Sequence, residues 1–124
     1  MVNLKRLAGN YAICRLDAAA PIPAWADGEG FASISRTRDE LSIVCLAERV
    51  PPDIRQDGGW TGYRFIGPFA FDETGIVSSV IGPLSQNGLG IFVVSTFDGD
   101  HLLLKTETID RAEAVLVASG HTVV

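Results

Sequence analysis

The run Phe71-Asp72-Glu73-Thr74-Gly75-Ile76-Val77, an apolar-periodic segment to Gly88, and then Leu89-Gly90-Ile91-Phe92-Val93-Val94-Ser95-Thr96-Phe97-Asp98-Gly99-Asp100 decide the fold of this chain. After Gly75 the apolar positions Ile76, Val77, Val80, Ile81 and Leu84 recur at helical spacing and form one broad stripe. Asp72 or Thr74 is placed to cap the start, and Gly88 suits a left-handed stop. Pro83 would deprive the Ser79 carbonyl of its helical donor, so a kink or early loosening is expected at Gly82-Pro83. The following run is short, nearly all apolar and rich in β-branched residues, as a strand covered on both faces would be. Helix start and strand end bring unpaired backbone groups and carboxylates together, which marks this region as a place for a ligand.

Working outward, the 124 residues suffice for one ordinary core or for two small lobes. Hydrophobic residues make up 47% and charged residues 20%, a globular composition. The formal net charge of −5 leaves no basic stripe for phosphates, so neither a nucleic-acid partner nor an anionic membrane surface is expected. Lys5 and Arg6 precede too few apolar residues for a signal peptide, and no run has the length of a membrane span. A cytoplasmic protein is the expectation. Cys14 and Cys45 lie in apolar strand contexts and read as small buried hydrophobes, reduced and without a zinc partner nearby.

The chain divides near its polar, glycine-ended stretch at 53–59, giving expected halves 1–59 and 60–124. In the first half, strands are expected at 10–16, 31–35 and 41–47, with one helical turn at Ala24-Trp25-Ala26 and a stop at Pro51-Pro52. In the second, a strand over 60–71 breaks at Gly67-Pro68, and the central helix and strand follow. Asp98-Gly99 is a two-residue hairpin signal, and His101 to Lys105 is the return strand. A second helix is capped by Thr108, faces inward through Ile109, Ala112, Val115 and Leu116, and ends at Gly120 before a last short strand. The order strand, helix, strand, strand, helix, strand is that of an α+β, ferredoxin-like unit with two helices on one face of an antiparallel sheet. Ser35 to Glu40 echo Ser95 to Asp100 at a constant offset, so the first half reads as a degenerate copy with its helices eroded.

Catalysis finds little support. Ser78, Ser79, Ser85 and Ser95 qualify as nucleophiles by type alone, with no elbow around them. Asp98-Gly99-Asp100 lacks the calcium-loop pattern, and His101 and His121 read as surface or satisfied residues. No enzyme, cofactor or metal is expected. Glu73 and Asp100, taken singly, are a helix-start carboxylate and a hairpin end. In a split βαβ they come to one end of the sheet. There, carboxylates could attract an ammonium group while free helix amides receive a carboxylate.

The residues quoted at the outset, with Gly82-Pro83-Leu84, resemble an ACT domain. More narrowly, they are similar to the ACT domains of the CASTOR cytosolic arginine sensors and their small bacterial relatives. The resemblance covers the chain from Trp60 onward; Gly75-Ile76-Val77 and the Ser95-Thr96-Phe97 to Asp100 element carry it. It implies tandem ferredoxin-like ACT repeats, a regulatory amino-acid-binding role without catalysis, and a ligand held between two domains. On that reading Glu73, Thr74, Gly75, Ile76, Thr96, Phe97 and Asp100 contribute from one domain, and Gly90 and Ile91 from the facing one. A single good copy then requires a homodimer. The amino acid is arginine or another; two carboxylates favour a cationic side chain. The alternative is a ligand-free module that serves oligomerisation alone.

Overall fold

In a computed structural model, which describes residues 1–67, 69 and 74–124, the chain forms two compact units. One comprises Met1–Leu7 with Thr61–Val124, and the other Ala8–Trp60. The seven amino-terminal residues, expected in the first half, therefore belong with the second. The reason is a strand that went unread in the sequence, β1 (Asn3–Arg6), whose buried Leu4 sits between polar neighbours and gives too short an alternation to register.

The larger unit contains β1, the end of β5 (Arg55–Phe65), α1 (Ile76–Gln86), β6 (Ile91–Ser95), β7 (Asp100–Lys105), α2 (Ile109–Ala118) and β8 (Thr122–Val123). β5 starts inside the stretch expected to be a linker and ends at Phe65; the expected strand end at Phe71 lies outside the described residues. Pro68 of the expected break, and Asp72 and Glu73, lie outside the described residues. The strand order here is β6-β7-β5-β1-β8. β1 runs antiparallel to β5, with Leu4 opposite Phe65, and parallel to β8, with Leu4 opposite Val123. That parallel pair is an addition to the antiparallel ferredoxin-like plan. Residues two apart share a face, so Leu4, Tyr63, Phe65, Leu102 and Leu104 meet Val80 and Leu84 of α1 and Ala112 and Leu116 of α2 in one core.

Both helices end on a left-handed glycine, Gly88 (φ 72°) and Gly120 (φ 92°). In each, the next N–H turns back to the helix: Leu89 to Leu84 O at 3.1 Å, and His121 to Leu116 O at 3.0 Å. Of the kink or early loosening expected at Gly82-Pro83, the loosening does not occur; α1 runs on to Gln86. The carbonyl that Pro83 leaves without a helical donor, that of Ser79, instead lies 2.8 Å from Nε2 of His121. Because the Val2 N–H donates to His121 Nδ1 at 3.0 Å, the ring proton is on Nε2 and the contact is a donated hydrogen bond. The expected helix caps are also different. Gly75, at φ 80°, is the residue before α1, and among the described residues no side chain caps it; Asp72, one of the two expected caps, lies outside them. Thr108 precedes α2, but a 3₁₀ turn at Thr106–Thr108 swings its hydroxyl back to donate to Lys105 O at 2.9 Å. Arg6 and the buried Tyr63 both donate to Glu113 Oε2, tying β1 and β5 to α2.

The smaller unit is built from β2 (Tyr11–Leu16), β3 (Ser33–Arg36), β4 (Leu41–Leu46) and the start of β5, in the order β3-β4-β2-β5. All its pairs are antiparallel. Ala12, Cys14, Leu41, Ile43 and Cys45 line its core with Ala26. Its only helical pieces among the described residues are 3₁₀ turns at Ala24–Ala26 and Ala47–Arg49. The repeat is real, and its offset is 59 rather than the 60 read by pairing Ser35 with Ser95. β4 maps onto β7 and the Ala47–Arg49 turn onto Thr106–Thr108, with matching entry geometry at Leu46 (φ −57°, ψ 130°) and Lys105 (φ −58°, ψ 127°). Beyond that point Pro51-Pro52 stand where Asp110-Arg111 continue α2, and no second helix forms.

Replacing His121 by Phe keeps a ring and removes both hydrogen bonds, with an expected loss of about 1–3 kcal/mol. In a Pro83→Ala background the backbone N–H restored at that position can donate to the Ser79 carbonyl, so the same change is expected to cost less. Urea denaturation of the four proteins measures this coupling; strictly additive losses would show that the ring does not stand in for the missing helix donor.

Cys14 and Cys45 are both free and buried on the core face of the smaller unit. Burial pushes both thiols up, Cys14 to about 11 from 9.0. A raised folded-state value means that stability is full below the unfolded value and drains away as pH climbs from about 9 to about 11. A thiol reagent at neutral pH is expected to label neither cysteine until urea unfolds the chain.

Candidate functional site

Alternation in the β6–β7 hairpin gives the turn two chemically different sides. Ser95 lies opposite Asp100, in the same alternating set as Val93 and Leu102, which pack into the helix-covered core. Val94 lies opposite His101, in the other set. The expected tip, Asp98-Gly99, is shifted by one: Thr96 N–H donates to Gly99 O at 2.7 Å, which leaves Phe97-Asp98 at the tip. The Thr96 hydroxyl donates to the same carbonyl at 2.7 Å. Gly99 is absent from the left-handed glycines, which removes the conformational reason for placing it at the centre of the turn.

On the helix side, a cleft of about 440 Å³ separates this turn from the start of α1. Gly75, Ile76, Val77 and Ser78 form one wall and residues 95–100 the other, with Phe69 alongside. Asp100 accepts from Ser95 Oγ at 2.5 Å, which fixes its carboxylate against the cleft. The N–H groups of Ile76, Val77 and Ser78 have no carbonyl within the helix to meet, because each lies in the first turn. Phe97, 80% exposed, stands at the rim. The cleft thus offers carboxylate oxygens on one wall, amide donors on the other and an aromatic edge between them.

Of the residues expected in a site, Gly75, Ile76, Thr96, Phe97 and Asp100 line this cleft, and Thr74 is exposed one residue before it. Gly90 and Ile91 do not: Ile91 pairs with Leu104, at the far end of the hairpin from the turn. Glu73 lies outside the described residues. Val77, Ser78, Ser95 and Asp98 also line it and were not expected as ligand contacts. Two-residue alternation from Asp100 across the hairpin was the signal that would have found Ser95. Among the described residues no group of three His, Cys, Asp or Glu side chains is placed to hold a metal ion.

The smaller unit treats the equivalent place differently. At the 59-residue offset Arg36 stands for Ser95 and Leu41, fully buried, for Asp100. The Arg36 guanidinium donates to Ala18 O and, at 2.8 Å, to Ala20 O, in the loop that follows β2. Its own side chain closes the gap between hairpin and loop.

A family model described as ACT domain matches residues 57–118. The chain belongs to the ACT domain family. A second family model, described as an N-terminal domain, matches residues 9–53. The chain is 33% identical over 109 residues to the protein named cytosolic arginine sensor for mTORC1 subunit 1 of Bos taurus. That match takes in 77% of this chain but 33% of the sensor, so the chain spans about a third of the length of the curated relatives it matches. A crystal structure of a protein from Agobacterium tumefaciens is 60% identical, with a TM-score of 0.96 over 99% of this chain and 92% of that one. The aspartate kinase of Clostridium acetobutylicum superposes with a TM-score of 0.67 at 11% identity, over 94% of this chain and 34% of the kinase, which shows the shared ACT fold. Among the described residues no helix is long and apolar enough to cross a membrane.

Two glycines bordering this region should respond in opposite directions to alanine. A Cβ on either meets nothing within 4 Å, so backbone preference alone decides. Gly75→Ala must hold φ near 80° and is expected to lose about 1–2 kcal/mol. Gly82→Ala, inside α1 and without a positive φ, is expected to gain up to about 1 kcal/mol. Chemical denaturation of the two variants gives both signs.

Proposed function

We propose that this ACT domain protein is a regulatory module that reversibly binds a free amino acid in the cleft between α1 and the β6–β7 turn. The observation that carries the reading is the opposition of the two walls: amide donors at the start of α1 face the Ser95-supported carboxylate of Asp100 across about 440 Å³. A zwitterion matches both, its carboxylate against the amides and its ammonium against Asp100. Glu73, two positions before Gly75 in the sequence, is assigned the second carboxylate. A guanidinium side chain satisfies that pair best, and the similarity to proteins named as arginine sensors supports arginine as the ligand. The chain works as a cytoplasmic homodimer in which Gly90 and Ile91, away from the cleft of their own copy, close the cleft of the other. It performs no catalysis in this reading.

A thermal-shift panel of the common amino acids tests the class, since a ligand at a hundredfold excess over its Kd adds about 2.7 kcal/mol to stability. Arginine is expected to give a larger shift than glutamate or leucine. Calorimetry on Asp100→Asn and Glu73→Gln should show arginine binding weakened by roughly one to two decades, because each removes a charge-assisted hydrogen bond. Sedimentation should report a dimer at high micromolar concentration. No shift with any amino acid, together with a stable dimer, would favour a module that serves assembly alone.

A further inference from the structure

The tip of the β6–β7 turn is filled by two residues that the turn itself does not call for. A two-residue hairpin closes best in a primed turn, which matches the strand twist and needs a positive φ at one or both tip positions. Phe97 and Asp98 hold the tip, and neither has a positive φ. Phe97 is 80% exposed, and Asp98 is exposed beside it. Both border the cleft and also a second cavity of about 520 Å³ on the β5 side of the turn, so the tip stands over either approach. We propose that Asp98 and Phe97 select the side chain of the bound amino acid, favouring a planar cation; this rests on the reading of the cleft as an amino-acid site.

Charge matching in the cleft bears the weight. Asp98 and Asp100 are the charged groups in its described lining. Asp100 is partly buried and accepts from Ser95 Oγ, which holds it for the ammonium group of the ligand. The carboxylate of the ligand meets the amides of α1. Both charges of a zwitterion are then matched, and Asp98 is left over. Its carboxylate makes no ion pair and accepts no hydrogen bond among the described residues. Arg64 borders the second cavity but not the cleft, and forms no ion pair with Asp98. A neutral side chain leaves Asp98 unmatched, an acidic one is repelled by it, and a cationic one is attracted. The ring next to it narrows the choice. The face of an aromatic ring favours a planar, weakly hydrated guanidinium over a compact, strongly hydrated ammonium. Because the tip is open to water, Asp98 sets selectivity by a modest factor and acts on the approach of the ligand, whereas Asp100 acts on the ligand once it is held.

Calorimetry on the full chain tests this with two ligands of one shape, arginine and citrulline, whose ureido group is planar but neutral. The wild type is expected to favour arginine. Asp98→Asn should cut the ratio of arginine to citrulline affinity about two- to fivefold, the loss falling on arginine. Raising the salt to about 0.5 M should lower the wild-type ratio toward that of the variant, because the charge is exposed. Phe97→Leu should shrink the preference for arginine over lysine. Asp100→Asn, by contrast, should weaken arginine and citrulline together. Unchanged selectivity in either tip variant, or an equal loss of both ligands in Asp98→Asn, overturns the proposal and leaves the amino-acid cleft standing. Binding of neither ligand by the wild type overturns the reading of the cleft, and this proposal with it.

Discussion

The imidazole of His121 is the interaction on which the larger unit depends. It accepts from the Val2 backbone and donates to the Ser79 backbone, so one ring joins the residue before β1 to the middle of α1. The need for it arises in the sequence: Pro83 keeps α1 from satisfying its own carbonyl at Ser79. The means arises from the end of α2, where Gly120 takes a left-handed conformation and the His121 N–H bonds back to Leu116. A helix defect in one element is therefore repaired by the terminus of another. The same ring holds the first residues of the chain next to β8, whose Thr122 donates to Val2 O.

The β6–β7 hairpin turns this rigid frame into a surface with two chemistries. Strand alternation sends Asp100 and Ser95 toward the start of α1 and His101 the other way, and two cavities border the turn, of about 440 and 520 Å³, with Asp98 and Asp100 in the lining of both. The turn residues are common to both. A change in the position of residues 96–99 alters the two cavities together, which gives the turn a role beyond joining strands.

Much of this was legible in the chain. The apolar period of α1, the β-branched run of β6 and the glycine stops lead to the α+β plan, and Gly75-Ile76-Val77 with Ser95-Thr96-Phe97 to Asp100 carry the resemblance to the ACT family, because each rests on a local pattern of several residues. The parts that were missed depend on distant ones. β1 has a single buried side chain within its span, Leu4, and becomes a strand through its pairing with β5 and β8, which no window of local sequence contains. Pro83 reads as a place where the helix loosens until His121, far along the chain, supplies the donor. Thr74 suits the cap of α1 in isolation, but a left-handed Gly75 makes the entry. In the site, the residue types at Thr96, Phe97 and Asp100 were readable, whereas Gly90 and Ile91 followed from the resemblance and lie elsewhere in this chain. Ser95 escaped notice because its partner Asp100 is fixed by hairpin register, and the turn is one residue away from the one that Asp98-Gly99 suggests.

The arginine that fills the smaller unit has a consequence for how the molecule can respond to concentration. Arg36 already occupies the gap between its hairpin and the preceding loop, and buried Leu41 replaces the carboxylate that faces the open cleft in the other unit. The duplicated architecture thus presents one open copy of that cleft per chain. With a single copy there is no second, equivalent equilibrium within the chain for the first to bias. On the proposed reading of the cleft as an amino-acid site, a graded, hyperbolic occupancy is the natural behaviour of such a chain alone. Any sharper threshold has to be created between chains, through an assembly that links one cleft to another.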